Sequence, residues 1–223
     1  MTARELSTVK NRALPLVAAG FLGLLAACVI LAPPEALLGH LIKLVYIHGA
    51  LVMVGLATFS VAGALGLLAL VVRRRVWYNG TWAAGLAALI VWIVYILSSM
   101  AVTGLAWGQV IAWNEPRVRA SALILLAAVV FAVVARLVGH RDFTALVNLV
   151  MGIVPWVLVR RAEAIRHPLD PIGGSQSVSI QLFFVLIVVA VAGLALTFVA
   201  WLWLGEELRE GKSTHGRSQD HIR

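Results

Sequence analysis

The segment KLVYIHGA, Lys43 to Ala50, opens an apolar run that continues almost unbroken from Leu44 to Val72. That is long enough to cross a bilayer with some tilt. His48 stands about one helical turn inside the run. An imidazole at that depth is costly unless both ring nitrogens are satisfied, so it calls for a hydrogen-bond partner, a metal or a wet cavity.

Composition places the rest of the chain around that span. Of 223 residues, 61% are apolar and 13% charged, about half the charged fraction of a soluble domain. With a mean hydropathy of +0.96, the chain reads as an integral membrane protein. The formal charge of +8 sits mostly beside apolar segments, which points to the membrane surface and topology rather than to nucleic acid. The single cysteine, Cys28, leaves no internal disulfide and no Cys-x-x-Cys-His site for covalent haem. The first apolar run lacks a cleavage site followed by a polar region and reads as a retained helix.

Six spans are expected, over residues 14–31, 44–72, 82–103, 120–138, 143–159 and 178–204, in one all-α membrane domain covering 1–223. The fifth is short and holds Asn148 and Pro155. Residues 205–223 form a charged tail whose composition fits disorder. The termini with the second and fourth loops carry Arg4, Lys10, Arg12, Arg73, Arg74, Arg75, Arg136, Arg141, Arg209, Lys212, Arg217 and Arg223. The other loops carry Lys43, Arg117, Arg119, Arg160, Arg161 and Arg166. The richer side is expected in the cytoplasm, with both termini.

Three features fall on the opposite face. His48 is one, and taken alone it fits equally a structural histidine bonded to a neighbouring helix. The second is the loop from Thr103 to Arg117, TGLAWGQVIAWNEPR. Its Trp107 and Trp113 are either an interfacial belt or an apolar shelf for a planar ring system, with Asn114 and Arg117 fixing the shelf or binding carboxylates. The third is the fifth loop, where Arg160, Arg161 and Arg166 precede His167-Pro168. Those arginines suit lipid phosphates or an anionic ligand. Two histidines, a tryptophan loop and surplus arginine together match what iron porphyrin requires: two axial imidazoles, an apolar plane and cations for its propionates. Arg117, Arg160, Arg161 and Arg166 are the propionate candidates. His40, His140, His215 and His221 read as solvated. Gly49, Gly55, Gly63 and Gly66 mark close helix approach.

KLVYIHGA at His48, TGLAWG leading through AWNEPR into an apolar span, and the spacing from Pro155 to His167 resemble the cytochrome c assembly family, specifically the haem exporter protein C (CcmC) type. The resemblance covers about Leu41 to Leu204. It implies a haem-handling subunit of c-type cytochrome biogenesis in the bacterial inner membrane, with the haem site on the periplasmic side. It also implies non-covalent haem b ligated by His48 and His167, and presented by a tryptophan-rich loop at Trp107, Trp113 and Asn114. The activity implied is binding and handover, not catalysis. The implied partners are ABC-type transporter subunits, a small single-span adaptor and a periplasmic haem chaperone, besides membrane lipids. The family loop usually reads WG-T-W-W-x-W-D-x-R. Here most of those tryptophans are absent, Asn114 stands in place of the aspartate, and Arg117 is shifted by one residue. Two other readings stay open: a b-type electron-transfer subunit, though no second histidine lies inside a span to face His48, and a haem-free structural or transport subunit.

Overall fold

A computed structural model describes residues 2–35, 38–163, 172 and 174–220, with side chains as far as Arg209. Among these residues every regular element is a helix. Six helices are long and apolar enough to cross a membrane: α1 Ala3–Leu31, α2 Ile42–Val72, α3 Arg75–Trp107, α4 Pro116–Val138, α5 Arg141–Arg161 and α6, whose apolar stretch is Val178–Arg209.

The helices outrun the apolar segments. α1 begins well before Leu14, through a capping box at Thr2 and Glu5 and one π turn over Val9–Ala13. α3 takes in the interfacial residues on both sides of the expected span and stops at Gly108, whose left-handed backbone (φ 68°) lets its N–H reach back to Gly104 and Thr103. Pro116 then starts α4 at a position that needs no N–H. So the expected loop from Gly104 to Arg119 contracts to Gly108–Glu115, and Trp107 and Arg117 become helical. α6 continues as helix to Asp220, so the segment from residue 205 expected to be disordered is helical that far. The Glu-Glu-Leu-Arg-Glu run at 206–210 contains good helix formers, and Arg209 pairs with Glu206 at 3.1 Å.

α2 is the centre of the bundle. Half of its most apolar stretch is buried, against 6% for α1, which packs on α6 at the edge. Between helices in lipid there is little hydrophobic drive, so close packing and interhelical hydrogen bonds hold the bundle. Here both converge on one knot. The Thr81 hydroxyl of α3 donates to the Ala62 carbonyl of α2 at 2.8 Å, and the Asn148 amide of α5 donates to the Thr81 carbonyl at 2.9 Å. Glycines make room for it. A Cβ on Gly63 would lie 2.9 Å from the Gly152 Cα, and one on Gly66 would lie 2.5 Å from the Ala145 carbonyl oxygen. Gly55 serves α2 in the same way against the Trp92 indole.

α5 is interrupted. Its halves, Arg141–Met151 and Val154–Arg161, meet at Gly152 and Ile153, with buried Pro155 in the first turn of the second half. At one end of the bundle Lys10 of α1 lies over the Trp201 ring of α6, 4.6 Å from its centroid. Tyr78 donates to Asp142 and Asn79 to Glu207 at that same basic end. The opposite end carries His48 and both loop tryptophans, and there the Lys43 ammonium donates to the Ile30 carbonyl at 2.8 Å.

Candidate functional site

His48 lies half-buried in α2, facing α3. Its Nδ1 is 3.2 Å from the Ser98 hydroxyl oxygen, and the Ser98 hydroxyl donates to the Tyr95 carbonyl at 2.7 Å. A serine hydroxyl has a single proton to give. With that proton directed at Tyr95, the Ser98 oxygen is placed to accept from the Nδ1–H tautomer of His48, and a neutral imidazole is a common metal ligand.

Tyr95 holds the ring from the side. The two ring centroids are 5.0 Å apart at 31°. Tyr95 itself is fixed by a 2.8 Å hydrogen bond between its hydroxyl and that of Ser121 on α4. The Trp92 indole N–H donates to the Ser121 carbonyl at 3.1 Å and its ring lies 4.7 Å from Tyr95. Three helices therefore share one polar cluster just inside the tryptophan end. Arg117, in the first turn of α4, lies within electrostatic reach of the Tyr95 phenol.

Two buried polar atoms at this end have no hydrogen-bond partner, the Tyr46 hydroxyl and the Arg117 Nε. Such atoms are uncommon in a folded chain. The Arg117 Nε suits a carboxylate, and the His48 Nε2 suits an iron that already has equatorial ligands. Among the described residues no group of three or more His, Cys, Asp or Glu gathers to hold a bare metal ion. His48 and Arg117 are side chains of the kind that a haem iron and a propionate take. The cleft at this end is too small for haem and is lined by neither of them. The cleft at this end, between Ile96, Met100, Thr103, Ile111 and Trp113, measures about 70 Å³, whereas enclosed small-molecule sites run from about 300 to 1,000 Å³.

The expected site residues divide accordingly. His48 and Arg117 belong to the cluster around Tyr95. Trp107 is the half-buried last residue of α3. Trp113 is 58% exposed and borders the 70 Å³ cleft, and Asn114 beside it is exposed. The shelf is therefore partial, one tryptophan flanking the cleft and the other ending a helix. Arg160 lies over the Trp156 ring, 5.8 Å from its centroid, beside a depression that includes none of the residues around His48. Arg161 is exposed. Arg166 and His167 lie outside the described residues.

Tyr95, Ser98 and Ser121 were not singled out from sequence, although Tyr95 and Ser98, spaced i, i+3 in an apolar run, mark one face of α3. Glu115, which falls in the expected loop from Gly104 to Arg119, is at the N-cap of α4 and 1% exposed. Compared with known proteins, the chain matches no protein-family model and no curated protein.

Proposed function

We propose that the chain is a haem-handling membrane subunit that holds haem b at the extracytoplasmic face and hands it on for c-type cytochrome maturation. The observation that carries the reading is the relay from His48 through Ser98 to the Tyr95 carbonyl. It orients an imidazole at the end of the bundle that bears the tryptophan loop. When bound, haem supplies an iron with open axial positions and two carboxylates. His48 would be one axial ligand, Ser98 and Tyr95 hold its ring in place, and Arg117 would supply positive charge to a propionate. His167 is the proposed second ligand. Exposed Trp113 at the cleft would offer the macrocycle an apolar contact at the bundle surface, which suits release to a partner.

The basic end would be cytoplasmic and the membrane bacterial and inner. The partners would be ABC-type transporter subunits, a small single-span adaptor and a periplasmic haem chaperone. No bond is made or broken on the substrate, so the protein acts as a carrier and not an enzyme.

The test is spectroscopic. The purified protein in mild detergent, supplied with haem, should give a Soret band and six-coordinate low-spin spectra. His48→Ala and His167→Ala should each lose haem or change its spin state. Unchanged spectra in both variants would remove the proposed ligands. A second reading, a haem-free structural or transport subunit, is favoured by the 70 Å³ cleft; it requires that the parent retain no haem after supplementation.

A further inference from the structure

The second half of α5 carries a feature that the haem reading leaves unused. Its outward side is an open depression of about 340 Å³ lined by Gly152, Ile153, Trp156, Val157 and Arg160. The helix break makes it. Gly152 has no side chain and sits against Gly63, where a Cβ on either glycine would come within 2.9 Å of the other's Cα. Buried Pro155 starts the second half-helix from there.

The walls are fixed. The Trp156 indole N–H donates to the Ser60 hydroxyl of α2 at 2.8 Å, which pins the ring to the bundle. The Arg160 guanidinium stands over that ring, 5.8 Å from its centroid, an arrangement with a cation–π attraction. The guanidinium is thereby held at the mouth of the depression. Length then decides what fits. Gly152 is at the middle of Arg141–Arg161, and the rise from Gly152 to Arg160 is about 12 Å. Half the hydrocarbon core of a bilayer is roughly 15 Å. The depression thus runs from the bilayer midplane to the headgroup level of a single leaflet, apolar along its floor and cationic at its top.

We infer that this is a site for one anionic phospholipid in the leaflet at the tryptophan end. The phosphate pairs with Arg160 and one acyl chain lies along Ile153 and Val157. Exposed Arg161 beside it adds positive potential, which favours a headgroup with net negative charge. The site takes Arg160 out of the set of propionate partners and is independent of whether the protein binds haem.

Delipidated protein in mild detergent, titrated with phosphatidylglycerol and phosphatidylethanolamine of identical acyl chains, tests this by native mass spectrometry. Phosphatidylglycerol should be retained about fivefold more strongly, the effect of one cation near the headgroup. Arg160→Gln should remove most of the preference, leaving only what Arg161 contributes, and Arg160→Lys should keep most of it. Val157→Trp, which fills the floor, should lower retention of both lipids. Equal retention of the two lipids by the parent would overturn the proposal without recourse to any variant. So would an undiminished preference in Arg160→Gln, or unchanged retention in Val157→Trp.

Discussion

Gly66→Ala is the sharpest test of how the bundle is held. The added methyl would stand 2.5 Å from the carbonyl oxygen of Ala145 and 3.3 Å from the Thr81 hydroxyl. An ordinary contact between carbon and a carbonyl oxygen is about 3.3–3.6 Å, so α2 and α5 must part by close to an ångström. The obstacle is backbone and cannot rotate away. Overpacking of this kind costs about 1–3 kcal/mol, offset by roughly 0.5–1 kcal/mol that alanine gains over glycine inside a helix. The expected net loss is therefore at most about 2.5 kcal/mol, with a central value of about 1 kcal/mol. Parting these helices also stretches the hydrogen bond from Asn148 to Thr81, which raises the upper end. Asn148→Ala alone should cost less, since hydrogen bonds between membrane helices average about 0.6 kcal/mol. Gly20→Ala is the control: a Cβ there meets nothing within 4 Å, so it should be neutral or slightly stabilising. Reversible unfolding in mixed micelles, followed by tryptophan fluorescence, gives all three values. If Gly66→Ala were as stable as Gly20→Ala, the knot of α2, α3 and α5 would not be what holds the fold.

Ser98→Ala removes the group that fixes the His48 tautomer and should weaken haem binding about 10–100-fold, the usual effect of losing an outer partner of a metal-ligating histidine. Ser98→Thr should restore most of it, and equal affinity in Ser98→Ala and the parent would refute the relay. Gly193→Leu addresses the edge helix. Even a methyl at Gly193 would lie 2.4 Å from the Phe21 ring of α1, so the larger side chain should push α1 off α6. Cys28 is the single cysteine and is 4% exposed, so its maleimide labelling should speed up by about tenfold for each 1.4 kcal/mol of undocking. An unchanged rate would mean that α1 is not a separable edge element.

The number of spans was legible because the bilayer demands long apolar helices and forbids most alternatives. Their ends were harder to place, since hydropathy stops where water begins while backbone hydrogen bonding runs on. Gly108 and Pro116 mark the true limits of the tryptophan loop, and both are visible as helix stop and start signals. The break in α5 was half legible. Asn148 and Pro155 flagged the segment, whereas the close approach of Gly152 to Gly63 depends on which helices are neighbours.

His48 stood out because an ionisable side chain inside a span demands a partner. Ser98 did not, because nothing local ties two residues fifty apart. Yet the tight turn at Arg73 and Arg74 makes α2 and α3 an antiparallel hairpin. Along it, Val72 is 24 residues from His48 and Ser98 is 23 residues from Arg75. Counting from that turn pairs the two by depth, and likewise pairs Gly55 with Trp92, whose ring it receives. A two-residue turn therefore carries register information that hydropathy lacks.

The same counting separates stability from function along this hairpin. Gly63, Gly66, Thr81 and Asn148 lie at or below the midplane towards the basic end, where the helices approach most closely. His48, Ser98 and Tyr95 lie near the other end, where α2 and α3 are joined by side chains and the expected shelf is open to the surface. Removing the His48 ring leaves the knot intact and takes away its hydrogen bond to Ser98 and its contact with the Tyr95 ring; a hydrogen bond of this kind is worth about 1 kcal/mol. His48→Ala should thus lose haem, whereas Gly66→Ala should lower stability and keep haem binding in the folded protein. If folded His48→Ala bound haem as well as folded Gly66→Ala, the histidine would be a structural strut between α2 and α3, and its hydrogen bond to Ser98 a by-product of packing.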